Sequence, residues 1–243
     1  MIDDDKQVGK TLNRRELFGL LGIAGGGLAL LGSTTNIFGL RKTPAFQFLP
    51  PCVVKPELTE GPYFVDEKIN RSDVRFDTKS GAIKEGSLLE LEFKVLQVSN
   101  NECKVLSEAM VDIWHTDAQG IYSDVQDRQF DTAGQNFLRG YQLTDKEGIA
   151  KFTTIYPGWY PGRAVHIHFK IRKDNQEFTS QLFFDESLTD KVHALKEYQK
   201  NGGRGRQRNE RDGIFRQSNN QLNLNLSESE KGHKAVFEIG MYI

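Results

Sequence analysis

Between residues 164 and 171 the chain reads Ala-Val-His-Ile-His-Phe-Lys-Ile, and its apolar and polar positions alternate with a period of two. Val165, Ile167, Phe169 and Ile171 share one face of the strand this predicts, while His166, His168 and Lys170 share the other. The same alternation runs through 89–95, where Leu89, Leu91, Phe93 and Val95 are set against Glu90, Glu92 and Lys94. Further strands are expected at about 109–115, 137–144, 149–155, 177–184 and 234–242, parted by turn chemistry such as Asp145-Lys146-Glu147-Gly148. Seven or more such strands predict an all-β fold, an antiparallel β-sandwich with long loops. A single short helix is expected at about 187–199, with Leu188, Val192, Leu195 and Tyr198 at helical spacing and Ser187 as its N-cap. His193 falls off that stripe and reads as an exposed helical histidine.

Charge adds little to this picture. The 32 Lys and Arg nearly cancel the 33 Asp and Glu, so no global field favours nucleic acid or an anionic membrane. The basic residues Lys200, Arg204, Arg206, Arg208 and Arg211 stand among Gly, Asn and Gln and read as a solvated, mobile loop. The N-terminus is more specific. Leu12-Asn13-Arg14-Arg15-Glu16-Leu17-Phe18 leads into a weakly apolar, glycine-rich stretch, 17–32, and resembles a twin-arginine export signal. That stretch is shorter than the roughly 18–20 residues a spanning helix needs, so no stable membrane span is expected unless the leader is retained. The chain then divides into a leader at 1–32, an extended Pro-rich arm at 33–55 and one β-sandwich domain at 56–243. Cys52 and Cys103 are the two cysteines. In an exported chain their pairing would contribute about 4 kcal/mol, but sequence leaves open whether they pair, and they form no zinc motif.

A His-x-His pair on a strand is common, and its plain alternative is two hydrogen-bonded histidines. The surroundings change the weighing. Tyr160 lies in Tyr156-Pro157-Gly158-Trp159-Tyr160-Pro161-Gly162-Arg163, a tight loop directly before the histidine strand, and Tyr122 lies where the strand ending in Trp114-His115 runs into a turn at Gly120. A phenol ionises near pH ~10 and becomes a good ligand only for a cation acidic enough to displace its proton at neutral pH. Ferric iron does this and zinc rarely needs it. Two phenolates, two neutral imidazoles and a hydroxide neutralise a trivalent ion. No Asp or Glu stands in the histidine motif, against the two-histidine, one-carboxylate arrangement of ferrous oxygenases. Trp114 and Trp159 read as packing residues.

Taken in order, Gly120-x-Tyr122, Phe137-x-Arg139-Gly140, Thr144-Asp145-x-x-Gly148, Pro157-Gly158-x-Tyr160 and Arg163-x-x-His166-Ile167-His168-Phe169 resemble the intradiol ring-cleavage dioxygenases, the catechol and protocatechuate 3,4-dioxygenase family, over about residues 56–185. The resemblance implies an enzyme that uses Fe(3+) and O2 to cleave a catechol-type ring to a cis,cis-muconic acid. It carries the iron ligands onto Tyr122, Tyr160, His166 and His168, with Tyr160 the ligand released to the substrate. It also carries an active-site arginine onto Arg163 and a pocket glutamine onto Gln181, and implies that 59–64 lines the pocket. Five residues separate Tyr160 from His166, fewer than in typical catabolic members, which implies a more open site and leaves open which catechol is taken; oligomeric state is open too. Two other readings compete. One is an exported, non-catalytic β-sandwich that binds carbohydrate, peptide or copper, and the other is a zinc hydrolase in which Glu60 or Asp185 joins His166 and His168.

Overall fold

The computed structural model describes residues 52, 54–99, 102–127, 130–201 and 205–242, so the leader and most of the expected arm lie outside it. Nine strands are named here in chain order: β1 Leu88–Ser99, β2 Glu102–Val105, β3 Met110–Trp114, β4 Arg139–Leu143, β5 Ile149–Ile155, β6 His166–Lys173, β7 Gln176–Phe183, β8 Ser227–Ser229 and β9 Gly232–Tyr242. One sheet runs β2-β1-β9-β8, with β5 also paired to β1; the other runs β4-β3-β6-β7. All strand pairs are antiparallel except β1 with β9, which run parallel from Leu88↔Gly232 to Val98↔Tyr242.

The period-two pattern explains the sandwich. Leu89, Leu91, Phe93 and Val95 of β1 face Ile167, Phe169 and Ile171 of β6 across one apolar core. At its middle the rings of Phe93, Phe169 and Phe237 lie 5.3–5.9 Å apart in pairs and join the two sheets. Each such buried ring contributes on the order of 2–3 kcal/mol of transfer free energy. The opposite face of β6 then points away from the core and carries His166, His168 and Lys170.

Among the described residues two α-helices complete the fold, α1 (Glu186–His193) and α2 (Gly213–Gln217). The cap of α1 differs from the expected one. Asp185, whose carboxylate accepts from Leu188 N at 2.9 Å, holds the first turn, and Ser187 donates to that carboxylate instead of capping. The helix also stops at His193, and Lys196–Asn201 continues as a 3-10 turn. His193 is buried rather than exposed: its Nε2 donates to Pro157 O at 3.0 Å and its ring stacks on Tyr198 at 5.0 Å. The basic run after residue 204 is likewise fixed by charge. Arg206 and Arg208 both pair with Glu186 and Asp190 at 2.6–2.8 Å, which docks this segment on α1.

Cys52 and Cys103 form a disulfide between the residues ahead of the sandwich and β2. From there segment 54–66 bridges to β9 at Gly240 and passes β7, with Leu58 N donating to Thr179 O at 3.0 Å and Ser180 Oγ to Pro56 O at 2.8 Å. This strap ends over the histidine-bearing face of the second sheet. No helix among the described residues is long and apolar enough to cross a membrane.

Candidate metal centre

Register builds the floor of the site. Arg139, Trp114, His168 and Gln181 lie opposite one another across β4, β3, β6 and β7, so they form one transverse row on the face away from the core. His166 stands on the same face two residues along β6, at the end of the strand where the loops begin.

Two loops bring the tyrosines to that end. In the first, Asp117 Oδ1 accepts from Gln119 N and Ile121 N at 2.9 and 3.1 Å, an aspartate turn that aims Tyr122 inward. Tyr122 O is held by Thr132 Oγ1 at 2.7 Å. In the second loop, Gly158 N donates to Asp117 O at 3.0 Å and Thr116 Oγ1 donates to Gly158 O at 2.8 Å, so the two tyrosine loops are fastened to each other. A Cβ at Gly158 would stand 2.4 Å from Asp117 O, which explains glycine at this crossing.

The four candidate donors converge. His166 Nε2 lies 2.9 Å from His168 Nε2, 3.4 Å from the Tyr122 hydroxyl and 3.5 Å from the Tyr160 hydroxyl. His166 Nδ1 donates to Ala164 O at 2.7 Å, which leaves Nε2 as the bare lone pair turned toward the cluster. Burial holds both imidazoles well below the ordinary histidine range, aided at His166 by the Arg163 cation and at His168 by its histidine neighbour, so both are neutral bases. Two buried lone-pair nitrogens beside two phenols suit a cation that displaces phenolic protons, so this donor set fits ferric iron.

A conventional zinc set is absent: among the described residues no three His, Cys, Asp or Glu side chains gather to hold a metal. Neither carboxylate raised for a hydrolase serves. Glu60 pairs with Lys170, and Asp185 caps α1.

Arg163 and Gln181 meet beside the cluster, with Arg163 Nη2 donating to Gln181 Oε1 at 2.5 Å and Gln181 Nε2 to Thr59 O at 2.9 Å. Burial pulls the Arg163 guanidinium down, but Tyr160 and Asp212 outweigh it and hold the pKa above the ordinary arginine value. Asp212 is a residue that sequence reasoning missed. Its Oδ2 accepts from Arg163 Nε at 3.0 Å and Ala164 N at 2.7 Å, while its Oδ1 caps α2 through Ile214 N and Phe215 N. Arg139 was recognised only as part of a motif; it donates from Nε to Ser123 Oγ at 2.7 Å and from Nη1 to Tyr63 O at 3.3 Å, tying the Tyr122 loop to the strap. Tyr63 in turn stacks on Tyr122 with ring centroids 4.5 Å apart. Trp114 is more than packing, since its indole lies parallel to His168 at 4.9 Å.

Comparisons with known proteins identify the family to which this fold belongs. The Dioxygenase family model (Dioxygenase_C) matches residues 59–197, just over half of the 243-residue chain. Among curated proteins, chlorocatechol 1,2-dioxygenase of Pseudomonas putida is 28% identical over 107 residues, covering 36% of this chain and 40% of that protein. The protocatechuate 3,4-dioxygenase beta chain of Burkholderia cepacia is 31% identical over 119 residues, covering 44% and 51%. The matched part thus spans about half or less of these relatives. Among solved structures, the intradiol ring-cleavage dioxygenase of Tetranychus urticae superposes with a TM-score of 0.70 at 30% identity, covering 79% of this chain and 95% of that one. The dioxygenase domain of a dioxygenase carbohydrate-binding protein fusion from the cellulolytic bacterium Streptomyces sp. SirexAA-E gives 0.57 at 26% identity, covering 79% and 99%.

Proposed function

The chain belongs to the intradiol ring-cleavage dioxygenase family, and on that premise we propose that it is an exported, ferric-iron enzyme that cleaves a catechol between its two hydroxyl-bearing carbons, O2 adding both its atoms to give a cis,cis-muconic acid. The observation that carries this reading is the convergence of Tyr122, Tyr160 and His168 within 3.5 Å of His166 Nε2. Tyr122, Tyr160, His166 and His168 would hold the ferric ion, which would supply Lewis acidity toward the hydroxyls of a catechol.

The residues divide that work by exposure. Tyr122 is buried under Tyr63, whereas Tyr160 is only half-buried at the mouth of the loop. Tyr160 is therefore the tyrosine whose oxygen would take up one of the two protons the substrate gives up, while Tyr122 and the two histidines would keep their places. Arg163 keeps its charge whatever the pH of a cell and sits where negative charge grows on the ring oxygens; Gln181 fixes its fork. Export is supported by the Arg14-Arg15 leader and by the Cys52–Cys103 disulfide, since such bonds persist in oxidising compartments.

Oxygen uptake by the iron-loaded protein across catechol, protocatechuate, hydroxyquinol and caffeate tests the reading, together with its visible spectrum. A burgundy tyrosinate band and one O2 consumed per ring are expected. Tyr160→Phe should shift the band and slow turnover by about 100-fold or more. A colourless loaded protein that consumes no O2 with any of these substrates overturns the assignment.

A further inference from the structure

We infer that Trp114 is the positioning residue for His168, its indole face setting the plane of that imidazole and so the direction in which Nε2 points. The identity of the ion rests on the ferric reading above; the geometry does not. The two histidines are held differently. His166 is oriented by a hydrogen bond from Nδ1 to Ala164 O, and Ala164 N is itself fastened to Asp212. His168 Nδ1 is buried and finds no hydrogen-bond acceptor among the described residues. A ligating imidazole ordinarily owes its orientation to a partner on the nitrogen away from the metal. Among the described residues no side chain or backbone carbonyl fills that role, and the ring is confined by shape.

Three contacts do the confining. Trp114 stands directly across from His168 in the β3–β6 register, and their rings are 9° from parallel at 4.9 Å. The outer flank of the indole is backed by Phe64 at 4.7 Å, whose ring in turn lies 4.5 Å beneath the Lys170 ammonium. The edge of the imidazole meets Gly61 of the strap, where a Cβ would lie 3.2 Å from Cε1 and where φ is +72°. The indole N–H of Trp114 is buried with no hydrogen-bond partner among the described residues, a cost that an apolar side chain would avoid. What the tryptophan supplies at this position is its flat face.

The test uses the full chain, freed of metal, and titrates ferric iron against a chelator of known affinity. Trp114→Leu should weaken iron binding by about 10–100-fold, the range for loss of an orienting partner, and Trp114→Phe, with a smaller face, should fall between. Phe178→Leu, a core substitution on β7, serves as the control: it should lower the melting temperature without changing the affinity. Equal affinities for wild type and Trp114→Leu overturn the inference. If Trp114→Leu fails to fold, Trp114→Phe decides in its place, because it keeps an aromatic ring in the core while shrinking the face turned to His168; a wild-type affinity there overturns the inference as well. Should wild type itself ignore ferric iron, the ferric reading fails, and the same series titrated with cobalt(II) still reports whether Trp114 sets the His168 ring.

Discussion

One carboxylate, Asp212, satisfies a buried guanidinium, a backbone N–H at the head of the histidine strand and the first turn of α2. Removing it takes away the carboxylate shared by Arg163 and Ala164 N, and breaking a buried ion pair typically costs about 3–5 kcal/mol. Asp212→Ala should therefore lower the unfolding free energy in urea titrations by that amount, while Asp212→Asn, whose one amide oxygen can keep the cap of α2 but whose amide nitrogen accepts from neither Arg163 nor Ala164, should lose less only by the worth of that cap; a near-wild-type Asp212→Asn would deny the ion pair its role. At this scale the sequence was legible where chemistry is written as spacing. His166 and His168 are legible as a pair on one strand face and Tyr122 and Tyr160 as tyrosines in tight loops, while Arg163 and Gln181 are named only by the resemblance. Asp212 is neither, since 49 residues separate it from Arg163 and no pattern near it names a partner. His193 was misread for a related reason: its helical stripe says which side is apolar, but not that the corner at Pro157 offers a buried carbonyl.

Among the elements, the strap 54–66 is the one whose place matters most for the site, because it supplies Gly61 against His168 and Tyr63 against Tyr122. Its upstream end is tied by the Cys52–Cys103 bond, which closes a separation of 51 residues. Constraining a loop of that length removes about 4 kcal/mol of chain entropy from the unfolded state. Reduction, or Cys103→Ser, should therefore lower unfolding free energy by up to about 4 kcal/mol in denaturant titrations. No change would mean that the strap's hydrogen bonds to β7 suffice alone. Sequence shows the strap as proline-rich and extended, and the resemblance implies that 59–64 lines the pocket, but what it crosses is decided by hydrogen bonds to Thr179, Ser180 and Gln181 far along the chain. The helix was found but overrun at its end, since Leu195 and Tyr198 keep helical spacing although the chain tightens into a 3-10 turn there.

At the scale of the molecule, stability carries a pH signature. His115 is fully buried between Thr116 O and Thr154 Oγ1, and burial pushes its pKa down to about 4, partly offset by the Thr116 carbonyl. The folded form thus refuses a proton that the unfolded form accepts below pH ~6.5, so stability is full above that pH and declines toward pH ~4 by about 1.4 kcal/mol per unit. In the metal-free protein His166 and His168 act with the same sign. Urea midpoints at pH 7 and pH 5 should fall less in His115→Gln than in wild type; parallel losses would exclude His115 as a source. The fold class itself was legible, because alternation on β1 and β6 reports a two-layer core directly. The partner of each strand was not, and the parallel union of β1 with β9 has no local signature.

That union has a consequence during synthesis. β1 emerges from the ribosome well over a hundred residues before the strand that seals its flank, and a nascent chain halted short of residue 232 leaves a whole edge of β1 exposed while its inward Phe93 lacks the Phe237 ring. The first sheet therefore cannot finish assembling until its latest strand is made, and up to that moment the chain depends on whatever shields such an edge from other growing polypeptides.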